Sequence, residues 1–284
     1  MWIAKDIETL RKYRSEAKGY VALVPTMGAL HAGHVSLIRR ARELGHTVVV
    51  SLFVNPTQFA PHEDLTKYPR PFAKDCETCI ANGVDGLFVP TVDVMYPPDV
   101  LDCQVNVPEL AKVLEGEFRP THFPGVCRVV AKLFNMVQPK VACFGMKDYQ
   151  QLAVIKSMVQ DLAFDVHIEA CPTLREEDGL AMSSRNVYLQ ADHRRHALGL
   201  SKALNEAKRL IDEGETDPLI IEQVMQQVMN AHHVIVDYAV LRHAYTLGEL
   251  DMINPQLTGD LVALVAGKVG PVRLIDSKVM GTTD

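Results

Sequence analysis

The sequence has no long hydrophobic run and no excess of basic residues, and these two absences argue against two classes of protein. Hydrophobic residues make up 48% of the chain, yet no apolar stretch reaches the length of about 18 residues that a transmembrane helix needs. The 29 lysines and arginines are outnumbered by 35 aspartates and glutamates, which gives a formal net charge of −6. A nucleic-acid surface usually requires a surplus of positive charge. We therefore expect neither a membrane nor a nucleic acid as a partner.

Features of exported proteins and of redox proteins are also missing. Residues 1–8 show no positively charged segment followed by an apolar core, so we expect a cytoplasmic protein. The six cysteines are scattered, and the one close pair, Cys76 and Cys79, lies in a predicted helix. No second pair completes a zinc site around it, and no tryptophan–glycine context resembles thioredoxin. Reduced cysteines that contribute to packing fit this pattern better.

Strand and helix patterns alternate through the first 175 residues, which predicts an α/β fold with a doubly wound, Rossmann-like parallel sheet. We predict strands at 20–24, 47–54, 85–89, 140–144 and 165–169, and helices at 34–44, 72–82, 122–137 and 148–161. Beyond residue 175 we predict a smaller α+β unit with helices at 191–213 and 217–231 and strands at 235–242, 261–267 and 272–276. We therefore expect two domains, 1–175 and 176–284. A ligand would lie in a cleft between them, where ligands commonly bind.

Two glycines and two histidines lie on the turn between the first predicted strand of this sheet and its helix. Gly28, His31, Gly33 and His34 occupy this turn. It presents backbone N–H groups and a helix N-terminus, which suit an anion. Histidines three residues apart can share one helix face and donate hydrogen bonds to phosphate oxygens. The alternatives are two solvated histidines and a zinc half-site, for which no nearby cysteine or histidine pair supplies the remaining ligands.

A second glycine turn carries a lysine. Gly145 and Lys147 follow the predicted strand at 140–144, and a lysine at the end of a strand suits phosphate. Asp148 could instead cap the helix that follows.

A third cluster places two hydroxyl groups and a guanidinium after Gly179. Ser183 and Ser184 could act simply as a helix N-cap pair, which is a common role for serine. Arg185 could pair with surface carboxylates such as Glu176 or Glu177. Taken alone, this cluster therefore says little about function.

Together these segments resemble the pantoate–β-alanine ligases, a family of the nucleotidyltransferase superfamily that carries a His-x-Gly-His signature. The resemblance extends over nearly the whole chain. It is carried by residues 24–28, 31–34, 53–59, 68–70, 119–123, 145–151, 182–186 and 273–276. The Asn-Pro-x-Gln-Phe and Lys-Asp-x-Gln-Gln segments make the narrower identification specific. Thr57 and Met146 stand where the family pattern has Met and Glu, and we expect neither difference to affect the chemistry.

The resemblance implies a two-step, ATP-dependent ligase reaction that makes pantothenate, a precursor of coenzyme A. A carboxylate is a poor electrophile, so pantoate would first attack the α-phosphate of ATP to give pantoyl adenylate and pyrophosphate. The amine of β-alanine would then displace AMP. Mg²⁺ is expected to bridge phosphate oxygens, because this ion usually recruits substrate oxygens and few protein ligands. The family also implies a homodimer.

The resemblance further implies roles for individual residues. The catalytic set is His31, His34, Lys147 and Arg185. The ATP-binding set includes these four and also Pro25, Thr26, Met27, Gly28, Gly33, Gly145, Asp148, Leu174, Met182, Ser183 and Ser184. Pantoate would be bound by Thr26, Met27, Asn55, Gln58 and Gln151, β-alanine by Gln58, His122 and Arg185, and a metal would be supported by Asp75.

Plainer interpretations of these residues remain at this stage. Gln58 and Gln151 could each be a surface or capping amide, and His122 could simply start a helix. Asp75 could be a surface carboxylate.

Two other functions also remain open at this stage. One is a different nucleotidyltransferase, such as a cytidylyltransferase, which would use a similar phosphate site on an organic phosphate. The glutamine-bearing segments favour an uncharged polyol over a phosphate. The other is a non-catalytic module that senses nucleotides, against which the complete set of His31, His34, Lys147 and Arg185 argues.

Overall fold

A computed structural model describes residues 1–61, 63, 65–254 and 259–281, and the chain divides into two compact units. The first unit comprises Met1–Gly145 and Val154–Cys171. The second comprises Met146–Ala153 and the residues from Pro172 onward. No pattern in the sequence indicated that Met146–Ala153 groups with the second unit. One reason for this grouping is a hydrogen bond of 2.7 Å from the Ser277 hydroxyl to the carbonyl oxygen of Met146.

The first unit is built on a six-stranded sheet in which every neighbouring pair of strands is parallel. Its strands are β1 (Trp2–Ala4), β2 (Val21–Thr26), β3 (Thr47–Leu52), β4 (Gly86–Phe88), β5 (Val141–Gly145) and β6 (His167–Cys171). Their order in space is β1-β4-β3-β2-β5-β6. The predicted α/β class with a doubly wound parallel sheet is confirmed.

The helices that begin in the first unit follow the predicted alternation, with several short additions. They are α1 (Ile7–Glu16), α2 (Ala32–Leu44), α3 (Phe72–Ala81), α4 (Val92–Met95), α5 (Pro108–Ala111), α6 (Glu115–Phe118) and α7 (His122–Val137). Helix α8 (Tyr149–Asp161) begins in the segment assigned to the second unit and continues into the first. A short 3₁₀ turn, Pro56–Gln58, follows β3, and another, Met146–Asp148, precedes α8.

Burial explains why the central strands were predictable. All six residues of β3 are buried, as expected for a strand that is covered on both faces. On one face, Val24 of β2 and Val50 of β3 belong to a buried cluster that includes Ile38 of α2 and Leu87 of β4. This packing fixes α2, and with it the turn that precedes α2.

The edge strand β1 and the helix α1 were not predicted. Strand β1 has only three residues, too few to show an alternating pattern, and it pairs in parallel with β4. Trp2 lies directly over Gly86, where an added Cβ would come within 2.1 Å of the indole, and its ring stacks on Tyr13 at 4.8 Å. Packing of one aromatic ring on a glycine therefore holds this edge.

The second unit combines two long helices with an antiparallel sheet, which confirms the predicted smaller α+β unit. Its elements after the shared helix are α9 (Ala191–Asp212), α10 (Pro218–Ala231), β7 (Ile235–His243), β8 (Leu261–Val269) and β9 (Val272–Val279). The sheet order is β7-β8-β9, with both pairs antiparallel. Leu200 and Leu204 of α9, Ile221 of α10 and Val265 of β8 belong to one buried core.

No helix in the described ranges is long and apolar enough to cross a bilayer.

Candidate active site

Strands β2 and β5 are neighbours inside the parallel sheet, and their carboxyl ends lie side by side. The chain continues from β2 to β3 on one side and from β5 to β6 on the other. Connections that diverge in this way leave a crevice at the carboxyl ends of the strands, which is where open α/β sheets bind ligands. The predicted residues Pro25, Thr26 and Gly145 lie at the ends of these two strands.

The turn after β2 is held in a tight, partly left-handed conformation. Gly28 has φ of +83° and Ala29 has φ of +52°. Thr26 fixes the start of the turn, because its hydroxyl donates to the carbonyl of Ser51 at 2.7 Å and accepts from the N–H of Gly28 at 3.2 Å. The predicted ATP-binding residues Thr26, Met27 and Gly28 therefore belong to one ordered turn.

Asp75, on α3, holds this turn through hydrogen bonds to its backbone. Its side chain is buried, with the residue 2% exposed, and its two oxygens accept the backbone N–H groups of Ala29 at 2.9 Å and Leu30 at 2.8 Å. A carboxylate whose two oxygens are both engaged in this way is a poor direct ligand for Mg²⁺, which demands a near-octahedral set of oxygens. The plainer interpretation of a surface carboxylate is wrong, because the residue is buried. The metal role of Asp75 stays a prediction that this geometry does not support.

His31 and His34 lie at the N-terminus of α2 and cap it reciprocally. His31 Nδ1 accepts the N–H of Gly33 at 3.1 Å, and His34 Nδ1 accepts the N–H of His31 at 3.3 Å. The two ring centroids are 4.1 Å apart. A nitrogen that accepts a hydrogen bond carries no proton, so each neutral ring carries its hydrogen on Nε2. Both imidazoles thus present an Nε2–H donor at a helix N-terminus, an arrangement suited to an anion.

The zinc alternative for these histidines gains no support from their surroundings. Within the described parts of the chain, no group of three or more His, Cys, Asp or Glu side chains could hold a metal ion.

Asn55 and Gln58 lie on the loop after β3, beside the turn that follows β2. Asn55 is 1% exposed and Gln58 is 7% exposed. Asn55 Nδ2 donates to Gln58 Oε1 at 3.0 Å and to the carbonyl of Gly125 at 3.1 Å. Gln58 Nε2 lies 3.2 Å from Met27 Sδ. The structure therefore brings together three of the predicted pantoate-binding residues, and the surface-amide interpretation of Gln58 is wrong.

His122 and Arg119 adjoin Gln58 through its backbone. His122 Nδ1 lies 3.1 Å from the carbonyl oxygen of Gln58, and Arg119 forms an ion pair with Glu63 with N–O distances of 2.5 and 2.9 Å. Burial favours the neutral form of Glu63, but the hydrogen bond and positive charge of Arg119 outweigh it and hold the pKa of Glu63 below its usual value. His122 is also the first residue of α7, so the interpretation as a helix-start histidine is correct as far as position goes.

In the second unit, Lys147 lies on the 3₁₀ turn Met146–Asp148. Its ammonium group is 3.5 Å from Asp148 Oδ1, and its side chain is 20% exposed. Ser277 of β9 is buried, and its hydroxyl anchors the turn at the Met146 carbonyl. Gln151 lies in the first turn of α8 and is half-buried.

The Met182–Arg185 segment is also ordered within the second unit. Ser183 caps the 3₁₀ turn Ser184–Tyr188, because its hydroxyl accepts the N–H of Arg185 at 3.2 Å. The structural interpretation of Ser183 as an N-cap is therefore correct. The Met182 N–H donates to the carbonyl of Leu174 at 3.0 Å, which joins two of the predicted ATP-binding residues.

The carboxylate of Glu176, considered above as a partner for Arg185, lies among hydrogen-bond donors of the second unit. It accepts hydrogen bonds from Arg194 at 2.6 Å and from Asn186 at 2.7 Å.

The Cys76–Cys79 pair lies in α3, and its thiols are not activated. Burial, and then the negative charge of Asp75, raise the pKa of Cys79 to about 12. The same two effects raise the pKa of Cys76. Reactive cysteines need a lowered pKa, so these thiols fit the packing role that the sequence suggested.

Sequence reasoning missed two residues that support the predicted ones, and it missed the contact through which a third, Asp75, acts. Tyr96 donates its hydroxyl to Asn55 Oδ1 at 2.9 Å, Ser277 holds the turn of Lys147, and Asp75 holds the turn after β2 from within α3. Each lies far along the chain from the residue it supports, and no local pattern indicates the contact. For Ser277 alone, the neighbouring Arg-Leu-Ile-Asp segment provided a weak signal.

The fold and these clusters define a class of protein: an α/β protein that binds an anionic ligand, such as a nucleotide, beyond the carboxyl ends of parallel strands. Comparison with known proteins narrows this class. The family model for pantoate-beta-alanine ligase matches residues 2–279. The pantothenate synthetase of Acetivibrio thermocellus is 45% identical over 276 residues, which cover 97% of this chain and 96% of that protein.

Solved structures agree with this assignment. The pantothenate synthetase of Thermus thermophilus is 41% identical and superposes with a TM-score of 0.92 over 99% of each chain. The pantoate-beta-alanine ligase of Francisella tularensis, in complex with beta-gamma ATP and beta-alanine, is 32% identical, with a TM-score of 0.81. That comparison covers 100% of this chain and 99% of the other. The chain belongs to the pantoate-beta-alanine ligase family, as the sequence motifs predicted.

Proposed function

We propose that this protein uses ATP to join pantoate to β-alanine, through a pantoyl adenylate, and releases AMP and pyrophosphate. A pantoate carboxylate oxygen attacks the α-phosphorus, and the bond to pyrophosphate breaks. The β-alanine nitrogen then attacks the acyl carbon, loses a proton, and AMP leaves. Adenylation is required because a carboxylate in water is a poor electrophile.

The observation that carries this proposal is the pair of imidazoles at the N-terminus of α2. His31 and His34 direct their Nδ1 atoms to backbone N–H groups, so their Nε2–H groups are the donors for phosphate oxygens. Charge builds up on those oxygens as pyrophosphate leaves, and fixed donors stabilise it without reorganisation. The positive end of the helix dipole acts in the same direction.

The remaining roles follow the family motifs. We propose the backbone of the Thr26–Gly28 turn and Gly33 as phosphate ligands, together with Lys147, Ser183, Ser184 and Arg185. Gln58 and Gln151 are proposed to bind pantoate, and His122 to contact β-alanine. The buried position of Gln58 supports its role, because a buried amide beside a substrate site confers specificity for hydroxyl and carboxylate groups.

Mg²⁺ is proposed to bind through phosphate oxygens of ATP, where it would neutralise charge. Asp75 does not fit a direct ligand, and no step depends on it. A homodimer is proposed on the family resemblance alone, and a location in the cytoplasm is proposed as the sequence patterns led us to expect.

The reaction is tested by measuring AMP formation with ATP, pantoate and β-alanine, and by omitting each substrate in turn. AMP should form only when all three are present. With pantoate labelled with ¹⁸O in its carboxyl group, the label should appear in AMP. Label in inorganic phosphate, with ADP as the nucleotide product, would show an acyl phosphate and contradict the proposal.

The same assay separates the two alternatives. A cytidylyltransferase would retain the nucleotide in a diester product, and family membership already argues against it. A nucleotide-sensing module would bind ATP without pantoate-dependent release of pyrophosphate.

A further inference from the structure

The orientation of the Gln58 side-chain amide can be assigned, that is, which of its two polar atoms is the oxygen and which is the nitrogen. The assignment follows from neighbouring backbone groups that can act only as donors or only as acceptors. The side-chain atom of Asn55 that faces the backbone N–H of Thr57 must be the oxygen, because an N–H can only donate. The atom that faces the carbonyl of Gly125 must be the nitrogen, because a carbonyl can only accept. Asn55 is therefore fixed in one orientation.

The orientation of Asn55 sets that of Gln58. Asn55 Nδ2 is 3.0 Å from one polar atom of the Gln58 side chain, which must therefore be Oε1. The remaining atom is Nε2, which lies 3.2 Å from Met27 Sδ. A thioether is a weak acceptor, so a carboxylate or hydroxyl oxygen of a substrate would be a stronger partner for this –NH₂ group.

Asn55 itself is fully engaged inside the protein. Its Nδ2 atom uses both hydrogens, on Gln58 and Gly125. Its Oδ1 atom accepts from the Thr57 backbone at 3.3 Å, the Thr57 hydroxyl at 2.9 Å and the Tyr96 hydroxyl at 2.9 Å. With 1% of its surface exposed, Asn55 is suited to orient a ligand-binding group and poorly placed to bind a ligand itself.

Two hydroxyl groups reinforce this arrangement from different elements. Tyr96 is the C-cap residue of α4, and the guanidinium carbon of Arg128 on α7 lies 4.5 Å from the centroid of its ring. Thr57 occupies a position where the family pattern has Met, so its hydroxyl is a feature of this chain. This hydroxyl donates to Asn55 Oδ1, so the difference at position 57 adds a hydrogen bond to the side chain that orients Gln58.

We propose that Tyr96 and Thr57 are positioning residues that act through Asn55 and hold Gln58 as a hydrogen-bond donor toward a carboxylate or hydroxyl oxygen of the hydroxy-acid substrate. This inference rests on the proposed function. Burial raises the pKa of the Tyr96 phenol, so the group stays protonated and donates throughout the neutral range.

The first test removes each hydroxyl and retains the rest of the side chain. Tyr96→Phe and Thr57→Val should each raise the KM for pantoate about 2- to 10-fold, the loss expected for one hydrogen bond. The KM for ATP and the melting temperature should change little. Tyr13→Phe is the matched control, because Tyr13 stacks on Trp2 at the sheet edge and should leave all constants unchanged.

The second test asks whether these hydroxyls act through Gln58. In a Gln58→Ala background, Tyr96→Phe should have no further effect on the KM for pantoate, because the group that it positions is gone. An undiminished effect in that background would show that Tyr96 acts by another route and would overturn the proposal.

The third test reverses the polarity of the side chain. Gln58→Glu keeps the shape but replaces the –NH₂ group by a carboxylate oxygen, which repels a substrate oxygen. We expect it to raise the KM for pantoate at least as much as Gln58→Ala. A parental KM in Gln58→Glu would mean that position 58 accepts a hydrogen bond from the substrate, contrary to the proposal. If the parent protein forms no AMP at all, the proposed function fails instead, and this inference fails with it.

Discussion

His34 combines two tasks in one side chain. Its Nδ1 atom completes the helix cap by accepting the N–H of His31, and its Nε2 atom is the proposed donor to phosphate. The first task concerns stability and the second concerns rate, so substitutions can separate them.

Replacing His34 by Ala should slow pantoate-dependent release of pyrophosphate by about 10²–10³-fold, the usual cost of losing one donor to developing charge. The helix should also lose about 1 kcal/mol of capping energy. His34→Gln is the matched variant, because Gln at this position can still reach back to the cap N–H and should restore the melting temperature. A near-parental rate in His34→Ala would rule out its assigned role.

Lys147 is a half-buried cation on a turn that Ser277 holds in place. Lys147→Ala should raise the KM for ATP and slow adenylation, and the KM for β-alanine should change less. Lys156 is exposed on the helix that follows, α8, and Lys156→Ala controls for loss of a positive charge. Equal effects of the two substitutions on ATP would show that only overall charge matters.

At the scale of elements, the turn between β2 and α2 depends on a carboxylate supplied by α3. Asp75→Asn keeps one acceptor oxygen but turns an –NH₂ group toward a backbone N–H, which leaves a buried donor unpaired. We expect a loss of about 1–3 kcal/mol in the free energy of unfolding, measured in urea, and a lower rate of adenylation. Asp93→Asn, at an exposed position of α4, is the control. If Asp75→Asn lost activity only through weaker Mg²⁺ dependence, with stability unchanged, the metal role would be favoured.

Hydrophobic patterns in the sequence predicted the elements that bury apolar residues regularly over a long stretch. Helix α7 was predicted with its observed bounds, and β3 was recognised from a continuous apolar run. Helix α2 begins two residues earlier than predicted, because His31 caps it through a side chain that rarely serves this purpose. Strand β1 was missed because three residues carry no period.

In the candidate site, the sequence predicted the motif residues but not the contacts that support them. His31 and Gln58 stand in recognisable motifs, and local rules placed them at strand ends. Asp75 accepts a hydrogen bond from the N–H of Leu30, 45 positions earlier in the chain. Tyr96 donates one to Asn55, 41 positions earlier. Such contacts depend on the packing of whole helices, which a single sequence does not reveal.

For the molecule as a whole, partly buried ion pairs make the free energy of unfolding depend on pH, with stability lost at acidic pH. Arg40 hydrogen-bonds Glu169 and lowers its pKa against the opposing effect of burial, and Arg119 has the same effect on Glu63. A carboxyl group with a lowered pKa in the folded state contributes stability above its unfolded pKa, about 4.3 for Glu. This contribution is lost as the pH falls through the folded value.

We therefore expect the free energy of unfolding to be nearly constant from pH 7 to about pH 5.5 and to fall steeply below about pH 4.5. Urea unfolding at a series of pH values measures this dependence. Glu63→Gln should lower stability at pH 7 and make the acid limb shallower, since one of the titrating groups is removed. An unchanged acid limb in this variant would assign the dependence to other carboxyl groups.

Trp2, stacked between Tyr13 and Gly86, is the single tryptophan of the chain. Its intrinsic fluorescence is therefore a probe with one known location, at the outer edge of the parallel sheet of the first unit. An unfolding curve recorded from this fluorescence reports on the docking of β1 and α1, and secondary structure measured by circular dichroism reports on both units. Coincident curves would show that the two units unfold together, and separate midpoints would show that the edge of the sheet is lost on its own.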